Sequence, residues 1–126
     1  MSENFLFVYG TLKRGFCNHY FLSGSKFVGK GVTKEKYALY LKGEIPYVIK
    51  KPPVSKIKGE VYLVDSETLK NIDELEGHPF CYFRELTDIQ LKTGEEIKAW
   101  MYFFPENPEP GILIPEGEYT FKLLKN

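Results

Sequence analysis

The sequence predicts an α+β domain built on a strongly curved sheet or small barrel, and three observations lead there. Segments with strand periodicity recur about seven times, whereas one stretch carries both a clear helix start and a clear helix stop. A doubly wound fold would instead alternate helices with strands. Aromatic residues make up 16% of the chain, with 10 Phe, 9 Tyr and 1 Trp, and such side chains favour pleated, half-buried surfaces. Glycines recur inside the strand patterns, where bulges and bends curve a sheet. At 126 residues the chain is expected to be one domain, 1–126, with one core and therefore one principal site.

In chain order, Phe5-Leu6-Phe7-Val8-Tyr9 is a continuous apolar run ended by Gly10, which reads as a buried strand entering a turn. Gly10 to Asn18 is a loop. Asn18 is placed to cap a short helix through His19-Tyr20-Phe21-Leu22 that stops at Ser23-Gly24. From Lys26 to Lys50, β-type segments are punctuated by Gly29, Gly31 and Gly43, with Tyr37, Leu39 and Leu41 alternating against other neighbours. Pro52-Pro53 interrupts the pattern, and Ile57, Gly59, Val61 and Leu63 alternate along a further strand. Asp65-Ser66 then supplies an N-cap for a helix running to Leu75 or Glu76. Gly77 suits the left-handed position after its end, and Pro79 forbids continuation. Tyr82 to Leu91 and Ile97 to Phe104, around Thr93-Gly94, predict a hairpin. Pro105 to Pro115 reads as an irregular loop, and Tyr119 to Leu124 as a closing strand.

Composition narrows the function. The hydrophobic fraction of 43% is too high for a disordered segment, and seventeen basic residues balance seventeen acidic ones. Without a basic face, nucleic acid is not an expected partner. Neither a targeting segment nor an apolar run of membrane-spanning length is visible, so a cytoplasmic protein without membrane contact is expected. Cys17 and Cys81 are read as reduced thiols in a reducing compartment.

Two segments could carry chemistry. The turn Tyr9-Gly10-Thr11-Leu12-Lys13-Arg14-Gly15 lacks the spacing of a phosphate-binding or dinucleotide-binding loop. A strand ending in such a turn can nevertheless aim successive backbone N–H groups at a carboxylate or an oxyanion; the plainer reading is a strand-to-loop turn with Arg14 in solvent. On the predicted helix, Leu69, Ile72 and Leu75 mark the buried stripe, Glu76 falls about 40° from its centre, and Glu74 points away. An inward carboxylate costs free energy unless it is partnered or useful, and burial raises its pKa toward the range of proton transfer. Two readings of Glu76 therefore stand: a site residue, or a structural partner of Arg84 or a rim lysine. Cys17 with His19, and His78 with Cys81, also offer four potential zinc ligands, though neither pair has the spacing usual for a zinc site. Tyr82 and Tyr102 read as core or rim aromatics as readily as catalytic groups.

Val8-Tyr9-Gly10-Thr11-Leu12-Lys13 with Gly15 and Asn18-His19, then Gly59-Glu60-Val61-Tyr62, then Asp73-Glu74-Leu75-Glu76-Gly77-His78-Pro79 with Tyr82 and Arg84, together resemble the γ-glutamylcyclotransferase-like superfamily. The resemblance runs from about Phe5 to Phe104. Thr11 and the Lys13-x-Gly15 that follows look most like its γ-glutamylamine cyclotransferase branch; the glutathione-degrading branch usually has a Ser, and an aromatic after the leucine. The resemblance implies a compact mixed β-barrel with few flanking helices and neither metal nor cofactor. It also implies intramolecular attack of a substrate's α-amino group on its γ-glutamyl carbonyl, releasing 5-oxoproline and a free amine. On this reading Glu76 is the catalytic acid/base, and Tyr9, Gly10, Thr11, Leu12, Tyr82 and Arg84 receive a small γ-glutamyl substrate. The alternatives are a non-catalytic module holding a small acidic metabolite in the same cavity, and a zinc-stapled interaction domain.

Overall fold

A computed structural model describes residues 3–105 and 111–124. Seven strands and one α-helix follow in the order β1 (Glu3–Val8), β2 (Lys26–Lys42), β3 (Ile45–Ile49), β4 (Ser55–Asp65), α1 (Ser66–Glu76), β5 (Phe83–Leu91), β6 (Glu96–Phe103) and β7 (Ile112–Leu113). Strands β2, β4, β1, β6 and β5 lie side by side, and β5 pairs back onto β2 through Gly31–Leu91, Val32–Gln90 and Thr33–Ile89. The sheet is therefore a closed five-stranded barrel. Its pairings are antiparallel except β1 with β6, which run parallel at Leu6 and Trp100, so the barrel is mixed, as the family resemblance implies.

Strand β2 serves two structures. Its first half belongs to the barrel, while its second half pairs with β3 and β7 outside the ring. The register between β2 and β4 shifts between Phe27 and Gly29 and again between Val32 and Lys36, and such irregularities let a long strand bend.

Strand β1 explains its own sequence. Phe7, followed by Tyr9, packs into the barrel interior with Leu39, Val61 and Met101. Leu6 and Val8 face the other way and pack with Tyr62, Val64 and the helix residues Leu69 and Ile72. A strand covered on both faces needs an apolar run rather than alternation.

Helix α1 begins where the sequence places it. The Thr68 N–H donates to Asp65 Oδ1 at 2.8 Å, and Gly77 terminates the helix at φ 69°, its N–H bonding the carbonyls of Asp73 and Glu74. Leu69 and Ile72 are buried, but Leu75 is 39% exposed. The expected three-residue stripe thus loses its last member to the cavity described below.

Three other expectations are corrected. His19–Leu22 is a 3₁₀ turn without side-chain capping by Asn18, whose amide is engaged elsewhere. Tyr119 to Leu124 is not a strand; Phe121–Leu124 is a second 3₁₀ turn. Its apolar alternation has the period of a strand, yet closure of the barrel by β2 and β5 leaves the ring no vacant edge to receive one. The predicted Pro105–Pro115 loop instead holds β7, paired to Tyr40 and Leu41 of β2; residues 106–110 of that loop lie outside the described residues. Among the described residues, no helix is long and apolar enough to cross a membrane.

Candidate active site

The turn after β1 is tightly fixed. Gly10 packs so closely on Pro46, next to the start of β3, that a Cβ at position 10 would lie 2.7 Å from the Pro46 Cγ; a side chain there would push the two segments apart. The Lys13 N–H closes the turn onto the Gly10 carbonyl at 3.0 Å. Asn18 then staples the loop: its side-chain amide donates to Thr11 Oγ1 at 2.9 Å and its backbone N–H to the Thr11 carbonyl at 3.0 Å. His19 Nδ1 lies 2.9 Å from the Leu12 carbonyl. Lys13 is buried along its stem and donates from Nζ to the Tyr119 carbonyl at 2.5 Å, with burial lowering its pKa. Among the described residues, no hydrogen bond engages the N–H groups of Thr11 or Leu12. Arg14 is exposed and lies over the Phe27 ring, 5.0 Å from its centroid, which is the plain reading of that residue.

This turn forms one wall of a cavity of about 570 Å³. Tyr9, Gly10, Thr11 and Leu12 line it together with Glu76, Tyr82 and Tyr102, and Phe16, Tyr119 and Phe121 complete the lining, Phe121 being the exposed member of the three. Six of the seven residues expected at the site are thus brought together. Glu76 is the last residue of α1 and partly buried. Loss of hydration raises its carboxyl pKa from 4.5 to about 7. No hydrogen bond or ion pair engages that carboxyl among the described residues. Glu74, two residues earlier, is exposed.

The phenols around Glu76 are turned to other acceptors. Tyr9 donates to the Tyr102 carbonyl at 2.9 Å, Tyr82 to the Pro46 carbonyl at 3.0 Å and Tyr102 to Asp73 Oδ1 at 2.6 Å. Burial, first among the causes, raises the pKa of all three. They are neutral donors, and Glu76 differs from them in having a carboxyl whose pKa burial brings to about 7.

Arg84 is the exception among the expected residues: it does not line the cavity. Its Nε donates to Asp73 Oδ1 at 2.8 Å and its Nη2 to Asp73 Oδ2 at 3.1 Å, and the guanidinium stacks 4.3 Å from the Trp100 ring centroid. Arg84 sits opposite Tyr102 in the β5–β6 register, so both side chains emerge on one face and both reach Asp73, about one helical turn before Glu76. Burial alone would raise the Asp73 pKa, but the bonds from Arg84 and Tyr102 hold it below the usual value. Arg84 accordingly supports the cavity wall through Asp73 and Tyr102, and the alternative Glu76–Arg84 pair does not form. The four zinc-ligand candidates are dispersed in function as well as sequence: Cys17 and Cys81 are exposed, and His78 Nδ1 accepts from the Arg84 N–H at 3.3 Å. Among the described residues, no three His, Cys, Asp or Glu side chains are grouped to hold a metal.

Sequence reasoning did not find Asp73, although it stands in the quoted motif, because its partners arrive from β5 and β6. Nor did it find Pro46, Phe16, Tyr119 or Phe121, whose relation to the cavity depends on how distant loops meet.

A closed mixed barrel with an inward helix-end carboxylate facing a stapled strand-to-loop turn defines a class that is also visible in comparison with known proteins. The chain belongs to the family described as gamma-glutamyl cyclotransferase, AIG2-like, which matches residues 6–121. A Methanocaldococcus jannaschii protein, provisionally named a gamma-glutamylcyclotransferase, is 54% identical over 116 residues, spanning 91% of this chain and 94% of its own length. The human gamma-glutamylaminecyclotransferase is 39% identical over 94 residues, 68% of this chain and 61% of its own. Among solved structures, an AIG2-like protein of Mus musculus superposes with a TM-score of 0.84 at 26% identity, covering 95% of this chain and 90% of that one.

Proposed function

We propose that the chain is a γ-glutamylamine cyclotransferase that needs no cofactor, acting on small γ-glutamyl amides. The observation that carries this reading is the Glu76 carboxyl: it opens into the cavity opposite the Tyr9–Leu12 turn, without a protein partner among the described residues and with a pKa raised to about 7. The substrate brings its own nucleophile. Its α-amino group attacks the γ-carbonyl carbon, the bond to the leaving nitrogen breaks, and the atoms divide between 5-oxoproline and a free amine without water entering. Glu76 accepts a proton from the attacking nitrogen and returns one to the departing nitrogen, work for which a pKa near neutrality is well matched. The N–H groups of Thr11 and Leu12 are available for the charge that develops on the carbonyl oxygen, a contribution commonly worth about 3 kcal/mol per donor. The cavity's part is to hold the γ-glutamyl chain folded, so that the attack is intramolecular.

Incubation with a panel of γ-glutamyl amides should release 5-oxoproline and amine in equal amounts. An analogue lacking the α-amino group should bind without turnover. Hydrolysis of that analogue would show that water is the nucleophile and overturn the cyclisation, while binding of the whole panel without release would favour the non-catalytic module.

A further inference from the structure

The cavity has a second, aromatic end that the cyclisation itself does not use. Phe16 and Phe121 stack with centroids 4.1 Å apart and planes 12° from parallel, and the Tyr119 ring lies 5.0 Å from Phe16. Phe16 is fixed by its N–H bond to the Lys13 carbonyl and by the Lys13 ammonium over its ring. Phe121 remains 53% exposed at the mouth, an apolar surface whose burial would be favourable if a ligand covered it. Leu124, from the same 3₁₀ turn, lines the cavity too and lies beyond the stretch matched by the family. The charges are equally informative: the cavity lining among the described residues includes the carboxylates Glu44 and Glu76 and neither Lys nor Arg. A leaving group that carries its own carboxylate finds no cationic side chain in that lining, and the Lys13 ammonium over Phe16 is already engaged by the Tyr119 carbonyl.

These observations have a direction. If Glu76 serves the reacting nitrogens, the γ-glutamyl portion lies inward beside the Tyr9–Leu12 turn and the leaving amine extends toward the mouth. We propose that this site selects γ-glutamyl amides whose leaving amine bears an aryl or arylalkyl group, with the ring against Phe16 and Phe121. The proposal rests on the cyclotransferase reading above.

The test compares 5-oxoproline release from γ-glutamylphenethylamide, γ-glutamylmethylamide and γ-glutamylalanine. The phenethylamide should exceed the methylamide in kcat/KM by about tenfold or more, chiefly through KM, as ring contacts of this kind commonly provide, and γ-glutamylalanine should be the poorest. Phe121→Ala should collapse the phenethylamide-to-methylamide ratio toward one, and Phe121→Tyr, which retains a stacking ring, should restore it. The ratio is read only on variants whose thermal melt shows a folded barrel. Equal kcat/KM for the two amides, or a ratio unchanged in folded Phe121→Ala, overturns the aromatic selection and leaves the cyclotransferase reading intact. Absence of 5-oxoproline from all three substrates overturns both.

Discussion

Glu76 combines an unfavourable position with a useful one. Its carboxyl is protonated more readily in the folded chain than in the unfolded one, because burial raises the pKa from 4.5 to about 7. Between those values the folded state holds more protons than the unfolded state, so stability falls as pH rises and levels off above the folded pKa. The full effect amounts to at most about 3 kcal/mol. Glu76→Gln keeps the size and removes the charge, so its melting temperature should equal that of the parent at about pH 3.5, below both pKa values, and exceed it by several degrees at pH 8. Turnover should move oppositely, falling by about 10²- to 10⁴-fold, mainly in kcat, whereas Glu74→Gln should do little to either. The parent's kcat should rise through about pH 7 as the base ionises. A folded Glu76→Gln protein with near-parental kcat would remove Glu76 from the mechanism. The inward direction of this residue was legible from 100° periodicity alone. Its freedom from Arg84 was not, because the pairing of Arg84 with Asp73 depends on where β5 meets α1, which the periodicity of the helix does not record.

At the scale of elements, α1 carries Glu76 and side chains of β5 and β6 hold its last turn in place. Asp73 receives both Arg84 and Tyr102 about one turn before Glu76, so the helix end and the tyrosine that lines the cavity are tied together. Arg84→Lys retains charge but cannot reproduce the two-point bond to Asp73 or the stack on Trp100. It should lower the melting temperature by several degrees while leaving KM for a γ-glutamyl amide within about twofold, as expected for a residue outside the binding surface. A large rise in KM with an unchanged melt would return Arg84 to the substrate. The helix and its caps were readable because Asp65, Gly77 and Pro79 act locally. The chain after Phe104 was not: Tyr119 sits where Lys13 and Glu44 receive it, its hydroxyl donating to the Glu44 carbonyl at 2.8 Å, and local alternation holds no record of those contacts.

At the scale of the whole molecule, the count of strands followed from periodicity, but closure of the ring depends on residues 31–33 meeting residues 89–91, a pairing that local pattern does not encode. Thr33 stands at that junction. It is fully buried, pairs with Ile89 of β5, and lies where the register of β2 against β4 begins to slip. Its hydroxyl accepts from the Ile57 N–H of β4 at 2.8 Å and donates to the Glu35 carbonyl of its own strand at 2.7 Å, so one side chain fastens the irregularity in β2 to β4 where the strand also meets β5. Thr33→Val preserves shape and strand preference but leaves the Ile57 N–H without its acceptor, at a cost of about 1–3 kcal/mol. For a chain of this length the melting temperature should fall by about 5–10 °C. Thr33→Ser keeps the hydroxyl and gives up a methyl group, so it should recover a substantial part of that loss. If Thr33→Val melts at or above the parental temperature while Thr33→Ser is destabilised, the methyl packing rather than the hydroxyl secures the junction, and the barrel is closed by its apolar interior alone.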